Sequence, residues 1–341
     1  MKVIADRYIP FLQGRLEEVA DISYIDPTEF TPERVKDADA LLIRTRTRCN
    51  AGLLEGSQVK FIATCTIGMD QFDLPWCHEA GISVSNAPGC NASGVAQYVW
   101  SSLLRAGMKP GQHTVGVVGY GNVGRIVAEW GKALGFEILL NDPPLLESGR
   151  LPEVIHGQFA GLNDLLAQSD AVTFHTPLTK TGAHATYHLF SEEEVRLLRP
   201  NGIIVNAARG PVTATEGLLK ANRERNTTLI IDTWEGEPQL SHVLLEKTLF
   251  GTFHIAGYSL QGKQRATRMA IEALCNHFSL PLPDLSDLPP RYSLRSAVTA
   301  EGILSSYDPS HDTLLLKNHP NDFEIMRDNY HFRNEPLFVN F

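Results

Sequence analysis

The chain has 341 residues, 43% hydrophobic and 20% charged, with a formal net charge of −9. That length suits two domains and a small appendage, and the acidic balance argues against general binding to nucleic acid or anionic membranes. No apolar run approaches the ~20 residues needed to cross a bilayer, and residues 1–6 turn polar too soon for a signal peptide.

Short apolar runs alternate with helical patterns from end to end, which predicts a parallel α/β organisation. Residues 1–6 read as a first strand, and 40–43, 61–63 and 82–84 as further strands of a first unit. A helix is expected over 91–106, with Val95, Val99 and Leu103 on one face. A second strand series follows at 114–118, 137–140, 171–174, 202–205 and 228–231, separated by helices at 122–134, 162–167 and 192–198. This is the pattern of a doubly wound dinucleotide-binding domain. Residues 263–278 are again helical, with Ala266, Met269, Ala270 and Ala273 at helix spacing. Pro281-Leu282-Pro283 and Pro289-Pro290 then read as a linker, and the polar residues beyond are too few for a large core of their own. The five cysteines (Cys49, Cys65, Cys77, Cys90, Cys275) form no CxxC pair and have no histidine at metal-ligand spacing. They read as reduced core thiols of a cytoplasmic protein, and no metal is expected.

Gly119-Tyr120-Gly121-Asn122-Val123-Gly124 is a G-x-G-x-x-G after a predicted strand and opening a predicted helix. In that context Gly119 permits the tight turn, Gly121 admits the pyrophosphate to the backbone, and Gly124 allows close helix–strand packing. The helix N-terminus offers free N–H groups of Asn122 and Val123 to phosphates. Asp142 follows Gly124 by 18 positions at the end of the next strand. A carboxylate there accepts from ribose hydroxyls and repels a 2′-phosphate, which favours NAD over NADP. Asp142 also suits the start of the Asp142-Pro143-Pro144 turn, and the two roles are compatible.

Arg209, Glu237 and His254 sit in three separate loops that each follow a strand, and such loops converge at the carboxyl edge of a parallel sheet. Oxidising a secondary alcohol requires removal of the hydroxyl proton as hydride leaves the carbon. Imidazole exchanges protons near neutral pH, and a carboxylate bonded to it fixes its tautomer and stabilises the imidazolium. A guanidinium holds a substrate carboxylate with two parallel hydrogen bonds. Singly, each residue has an ordinary structural explanation: a surface arginine, a helix-end glutamate, a core histidine. Together and downstream of the glycine motif, they point to hydride-transfer chemistry.

These residues, with Thr173-Phe174-His175-Thr176-Pro177-Leu178-Thr179, 206–210, 232–238 and 254–258, resemble the D-2-hydroxyacid dehydrogenase family over roughly residues 1–280. Ala87-Pro88-Gly89-Cys90-Asn91, Trp234-Glu235-Gly236-Glu237-Pro238 and His254-Ile255-Ala256-Gly257-Tyr258 are most similar to members that oxidise 4-phospho-D-erythronate in pyridoxal phosphate biosynthesis. The resemblance implies a Rossmann-type domain over 94–257 inserted in a flavodoxin-like substrate domain of 1–93 plus 258–280. It also implies a linker and a homodimerisation segment over 281–341. The implied active-site residues are Arg209, Glu237 and His254, with His254 transferring the proton. The implied NAD contacts are Asp142, Thr176, Ala207, Ala208, Asp232 (accepting from the carboxamide) and Gly257, and the implied substrate contacts are Thr45, Thr66 and Tyr258. Phe253 replaces the family's usual proline, and the tail is shorter than usual for this group. The alternatives are a 3-phosphoglycerate or other 2-hydroxyacid dehydrogenase, and an NAD-sensing regulatory protein without catalysis.

A substrate bearing a phosphate and a carboxylate needs cations in this acidic chain. If Arg44-Thr45-Arg46-Thr47-Arg48 stays extended, the three arginines share one side and the two threonines the other, which makes Arg44 and Arg46 candidates for the phosphate. Lys263 and Arg265 are further candidates. Thr64-Cys65-Thr66-Ile67-Gly68 is a post-strand turn whose N–H groups suit a carboxylate.

Overall fold

The central strands of this chain are apolar on both faces, and their burial follows from that. In a computed structural model describing residues 1–149, 158–290 and 298–336, contacts divide the chain into two units. The first comprises Met1–Asn91 with Leu260–Ser293, and the second Ala92–Ser259 with Leu294–Phe341.

The first unit holds β1 (Lys2–Asp6), β2 (Asp21–Ile25), β3 (Ala40–Ile43), β4 (Phe61–Thr64) and β5 (Ser83–Ser85). All pair in parallel in the order β2-β1-β3-β4-β5, which is the flavodoxin-like order. Neighbouring residues on a strand face opposite layers. Val3, Leu42 and Ala63 therefore pack on one side with Met269, Ile271 and Leu274 of the helix Leu260–Phe278. Ile4, Leu41 and Ile62 pack on the other with Val35, Leu53 and Cys77. The helix seals its seam with Leu274, and Ala273 stays half-buried at its margin.

The second unit holds β6 (Thr114–Val118), β7 (Glu137–Asn141), β8 (Ala171–Phe174), β9 (Ile203–Asn206), β10 (Thr228–Ile231) and β11 (Thr248–Gly251). They form one parallel sheet ordered β11-β10-β9-β8-β6-β7, so the order reverses at β6 and opens a crevice at its carboxyl end. The helix Ala92–Arg105 is buried from Ala92 to Leu103. It crosses the helix Asn122–Leu134 closely, because a Cβ on Gly131 would lie 2.4 Å from the Trp100 ring. Residues 192–198, read as a helix, make only a 3₁₀ turn at Glu194–Leu197.

The tail differs from a free appendage. Residues 281–290 group with the first unit and 298–336 with the second; the rest of the segment read over 281–341, residues 291–297 and 337–341, lies outside the described residues. The helices Ala300–Ser306, Pro309–Asn318 and Phe323–Asp328 place Leu316 and Phe323 in the second unit's core. Thr313 Oγ1 accepts from Gly251 N at 3.1 Å, and Lys317 Nζ donates to Thr248 O at 2.9 Å, so the tail covers the edge strand β11. All five cysteines are buried free thiols. Among the described residues no helix is long and apolar enough to cross a membrane.

Candidate active site

The carboxyl ends of the second unit's six strands carry most of the residues singled out by sequence. Gly119 leaves β6 at φ +91°, and a Cβ there would lie 2.8 Å from the His175 carbonyl. A Cβ on Gly124 would come within 1.8 Å of Gly119 O, so the turn closes only with glycine at both positions. A Cβ on Gly121 would meet nothing within 4 Å, and Gly121 and Asn122 are exposed while Val123 is half-buried. The first N–H groups of the helix they open have no intrahelical partners. Asp142 does two things: Oδ1 accepts from Leu145 N at 3.0 Å and caps the turn, while Oδ2 accepts from Tyr120 N at 2.8 Å. Its carboxylate therefore lies against the glycine loop.

Beyond β8, Thr176 Oγ1 and His175 Nδ1 are buried with no hydrogen-bond partner among the described residues. Orphaned polar atoms are costly unless a ligand or water satisfies them. Together with the open backbone at Gly121, they fit a polar dinucleotide. Burial pushes the His175 imidazole down to about 3, so it is neutral near neutral pH.

Asn206, at the end of β9 and fully buried, shapes the next loop. Its Nδ2 donates to Arg209 O (3.1 Å), Gly210 O (3.3 Å) and Thr213 Oγ1 (2.8 Å), and its Oδ1 accepts from Ala208 N and Thr233 Oγ1, both at 3.1 Å. A Cβ on Gly210 would lie 2.0 Å from Trp234 O, so the Ala207–Arg209 loop abuts the loop that carries Glu237. Arg209 Nη1 donates to Ala208 O at 2.8 Å; no hydrogen bond joins Arg209 to Glu237 or His254 among the described contacts.

Glu237 and His254 do meet. Glu237 Oε1 accepts from His254 Nδ1 at 2.6 Å, and Oε2 from Trp234 N at 3.0 Å. Burial alone pushes this carboxyl up. The hydrogen bond and charge of His254, the Trp234 N–H and the charge of Arg327 outweigh burial and hold it below the usual value. A carboxylate only accepts, so Nδ1 carries the proton and Nε2 is left as the acceptor.

His254 sits at φ +58°, a left-handed conformation that its neighbours sustain. His254 N donates to Asp232 O at 2.9 Å. The Asp232 carboxylate, 1% exposed, accepts from Thr252 Oγ1 (2.6 Å), Ile255 N (2.8 Å) and Ala256 N (2.9 Å). Asp232 is thus first a tether for this loop. Phe253, in place of a rigid proline, is fully buried against Tyr330 with ring centroids 5.9 Å apart.

Sequence reasoning missed the tail's part in this loop. Arg333 donates to Ile255 O at 2.9 Å, to Ala256 O, to Gly94 O at 3.0 Å and to Gln97 Oε1 at 2.9 Å. The N–H groups of 255 and 256 are therefore held by Asp232 and their carbonyls by Arg333. Arg327 Nε donates to Tyr258 Oη at 3.2 Å. Tyr258 and half-buried Gly257 belong to the second unit, where Ser259 Oγ donates to Glu335 Oε1 at 2.7 Å.

The first unit's candidates are arranged otherwise than an extended strand predicts. The chain turns at Thr45–Arg46, leaving Thr45 exposed and Thr47 buried, so the threonines do not share a face. Before the turn, Arg44 Nε donates to buried Asp6 at 2.8 Å and its guanidinium lies 5.4 Å from the Tyr8 ring centroid. Arg46 is exposed. Thr66 Oγ1 lies 2.7 Å from Thr64 Oγ1. Arg265 is 6% exposed and donates to Cys90 O at 2.7 Å, which makes it a structural residue.

Comparison with known proteins assigns the chain to a family. Residues 91–256 match the NAD-binding domain of the D-isomer specific 2-hydroxyacid dehydrogenases. Erythronate-4-phosphate dehydrogenase of Bacteroides fragilis is 46% identical over 98% of this chain and 97% of its own length. The Escherichia coli protein of that name is 37% identical over 98% of this chain and 92% of its own. Among solved structures, NAD⁺-bound 3-phosphoglycerate dehydrogenase from Entamoeba histolytica superposes with a TM-score of 0.66 at 25% identity, covering 82% of this chain and 95% of that one. The chain belongs to the erythronate-4-phosphate dehydrogenase family of NAD-dependent D-2-hydroxyacid dehydrogenases.

Proposed function

We propose that this chain oxidises C2 of 4-phospho-D-erythronate to 2-oxo-3-hydroxy-4-phosphobutanoate, a step toward pyridoxal phosphate, in the cytoplasm. The observation that carries the reading is the 2.6 Å Glu237–His254 pair at the same sheet edge as the glycine loop. The cofactor, NAD, supplies the hydride acceptor when bound. His254 Nε2 takes the C2 hydroxyl proton, and Glu237 holds the imidazole in the required tautomer and stabilises the imidazolium. Arg209 holds the substrate carboxylate. Asp142 receives the adenosine ribose, and Gly119, Gly121, Asn122, Val123 and Gly124 the pyrophosphate. Thr176, Ala207, Ala208, Asp232 and Gly257 line the remainder of the dinucleotide site, with Asp232 using a lone pair its loop leaves over. We assign Thr45, Thr66, Arg44, Arg46 and Tyr258 to the substrate.

The working form is a homodimer. Leu314 and Ile325 on the tail helices are 60% and 62% exposed, apolar side chains suited to a partner surface; light scattering of the purified protein tests this, and a monomer at working concentration rejects it. Steady-state turnover on 4-phospho-D-erythronate, 3-phosphoglycerate and D-lactate tests the substrate. The four-carbon phosphorylated acid is expected to have the highest kcat/KM, and preference for an unphosphorylated acid rejects the reading.

A further inference from the structure

The phosphate of the proposed substrate carries up to about two negative charges, so it calls for a second cation in addition to Arg46. His254 acts at C2 and Arg209 at the adjoining carboxylate, whereas the phosphate lies two carbons beyond C2 and carries most of the charge. Arg44, the sequence candidate, already has its guanidinium against the buried Asp6 carboxylate. Arg333 is 9% exposed and bonded on every side to carbonyls and Gln97. Arg327 is different. It stands on the tail helix Phe323–Asp328, and its side chain is 23% exposed. Its Nε donates to Tyr258 Oη, and its guanidinium lies 5.9 Å from the Tyr258 ring centroid.

We propose that Arg327, with Tyr258 beside it, binds the phosphate of the substrate and sets the preference for a phosphorylated acid. The inference rests on the substrate reading given above. Three features support it. The guanidinium is fixed by the Tyr258 ring and hydroxyl, so little freedom is lost when it takes a ligand. Its counter-charge is weak: Glu324 Oε1 is 3.4 Å from Nη1, and that side chain is 46% exposed, which makes an exchangeable surface pair. Its Nη2 has no hydrogen bond among the described contacts, so a phosphate oxygen can take Nη2 and replace Glu324 at Nη1 in a two-pronged, charge-assisted contact. The position is also right, since Tyr258, which takes the Arg327 hydrogen bond, closes the His254 loop with Tyr258 N donating to Ile255 O at 2.8 Å. The tail helix thereby supplies the cation for the phosphate.

The test uses the full-length enzyme with saturating NAD and compares Arg327→Met and Arg327→Lys with the parent on 4-phospho-D-erythronate and D-erythronate. Inorganic phosphate serves as a competing probe. Losing a charged hydrogen-bonded contact predicts that Arg327→Met lowers kcat/KM for the phosphorylated acid roughly 10- to 100-fold more than for D-erythronate, mainly through KM. Inhibition by phosphate should weaken in parallel, and Arg327→Lys should recover part of both. Equal losses on the two acids, or unchanged inhibition by phosphate, overturn the proposal. If Arg327→Met does not fold, the phosphate inhibition constant of Arg327→Lys decides: a rise supports the assignment and no change rejects it. A parent enzyme with no preference for the phosphorylated acid rejects the substrate reading itself, a result separate from any variant's behaviour.

Discussion

Replacing Arg333 with methionine is expected to loosen the loop that follows His254. The guanidinium is buried, lies 4.3 Å from the Tyr307 ring centroid and satisfies the carbonyls of Gly94, Ile255 and Ala256 together with Gln97 Oε1. Methionine keeps much of the volume and none of the donors. Each carbonyl left buried without a partner costs about 1–3 kcal/mol. The three share one network and relax together, so the whole is expected at about 3–5 kcal/mol, toward the low end of their sum. Three of the four tryptophans, Trp100, Trp130 and Trp234, lie in the second unit, so urea unfolding followed by tryptophan fluorescence reports mainly on it. The same variant should lose turnover, because Ile255 and Ala256 adjoin His254. A loss below about 1 kcal/mol with unchanged kcat would refute the claim that the tail holds this loop.

Asp142→Ala is expected to narrow the preference for NAD over NADP, since the carboxylate that repels a 2′-phosphate is gone; the ratio of kcat/KM for the two cofactors measures it, and an unchanged ratio places discrimination elsewhere. Acid is expected to destabilise the protein in two stages. His175 falls from 6.5 to about 3 on burial, so the unfolded chain takes a proton first and stability declines as pH drops from about 6.5 toward 3. Glu237 is held below 4.5, so its contribution is complete above that value and is lost only as pH falls through the lower folded value. His175→Gln should flatten the loss between about pH 6.5 and 4.5 in urea titrations and leave the more acidic part in place; a parallel curve contradicts the account.

The strands most legible in sequence are those buried on both faces, such as Ala40–Ile43 and Thr114–Val118, because such strands must be continuously apolar. Two edge strands escaped: Asp21–Ile25 is half-exposed and mixes polar with apolar residues, and Thr248–Gly251 leaves Leu249 43% exposed between a threonine and a glycine end. Residues 192–198 carry helical spacing, yet Leu198 is extended, where Arg199 is restricted by Pro200. The glycine loop and the Glu237–His254 pair were readable because their chemistry needs those residue types at strand ends. The tail was not. Arg327 and Arg333 act on partners some 70–240 residues away, and no local period marks such contacts. The extended reading of residues 44–48 failed for the same reason, since the chain turns at Thr45–Arg46 and Arg44 pairs with Asp6, 38 residues earlier.

The proposed oxidation depends on proton removal by His254 while NAD is held independently by the glycine loop. Turnover of His254→Ala on 4-phospho-D-erythronate, measured alongside its affinity for NAD, tests that most directly. The expected result is a fall in kcat of at least about a hundredfold with NAD binding retained. Turnover equal to that of the parent enzyme would contradict it.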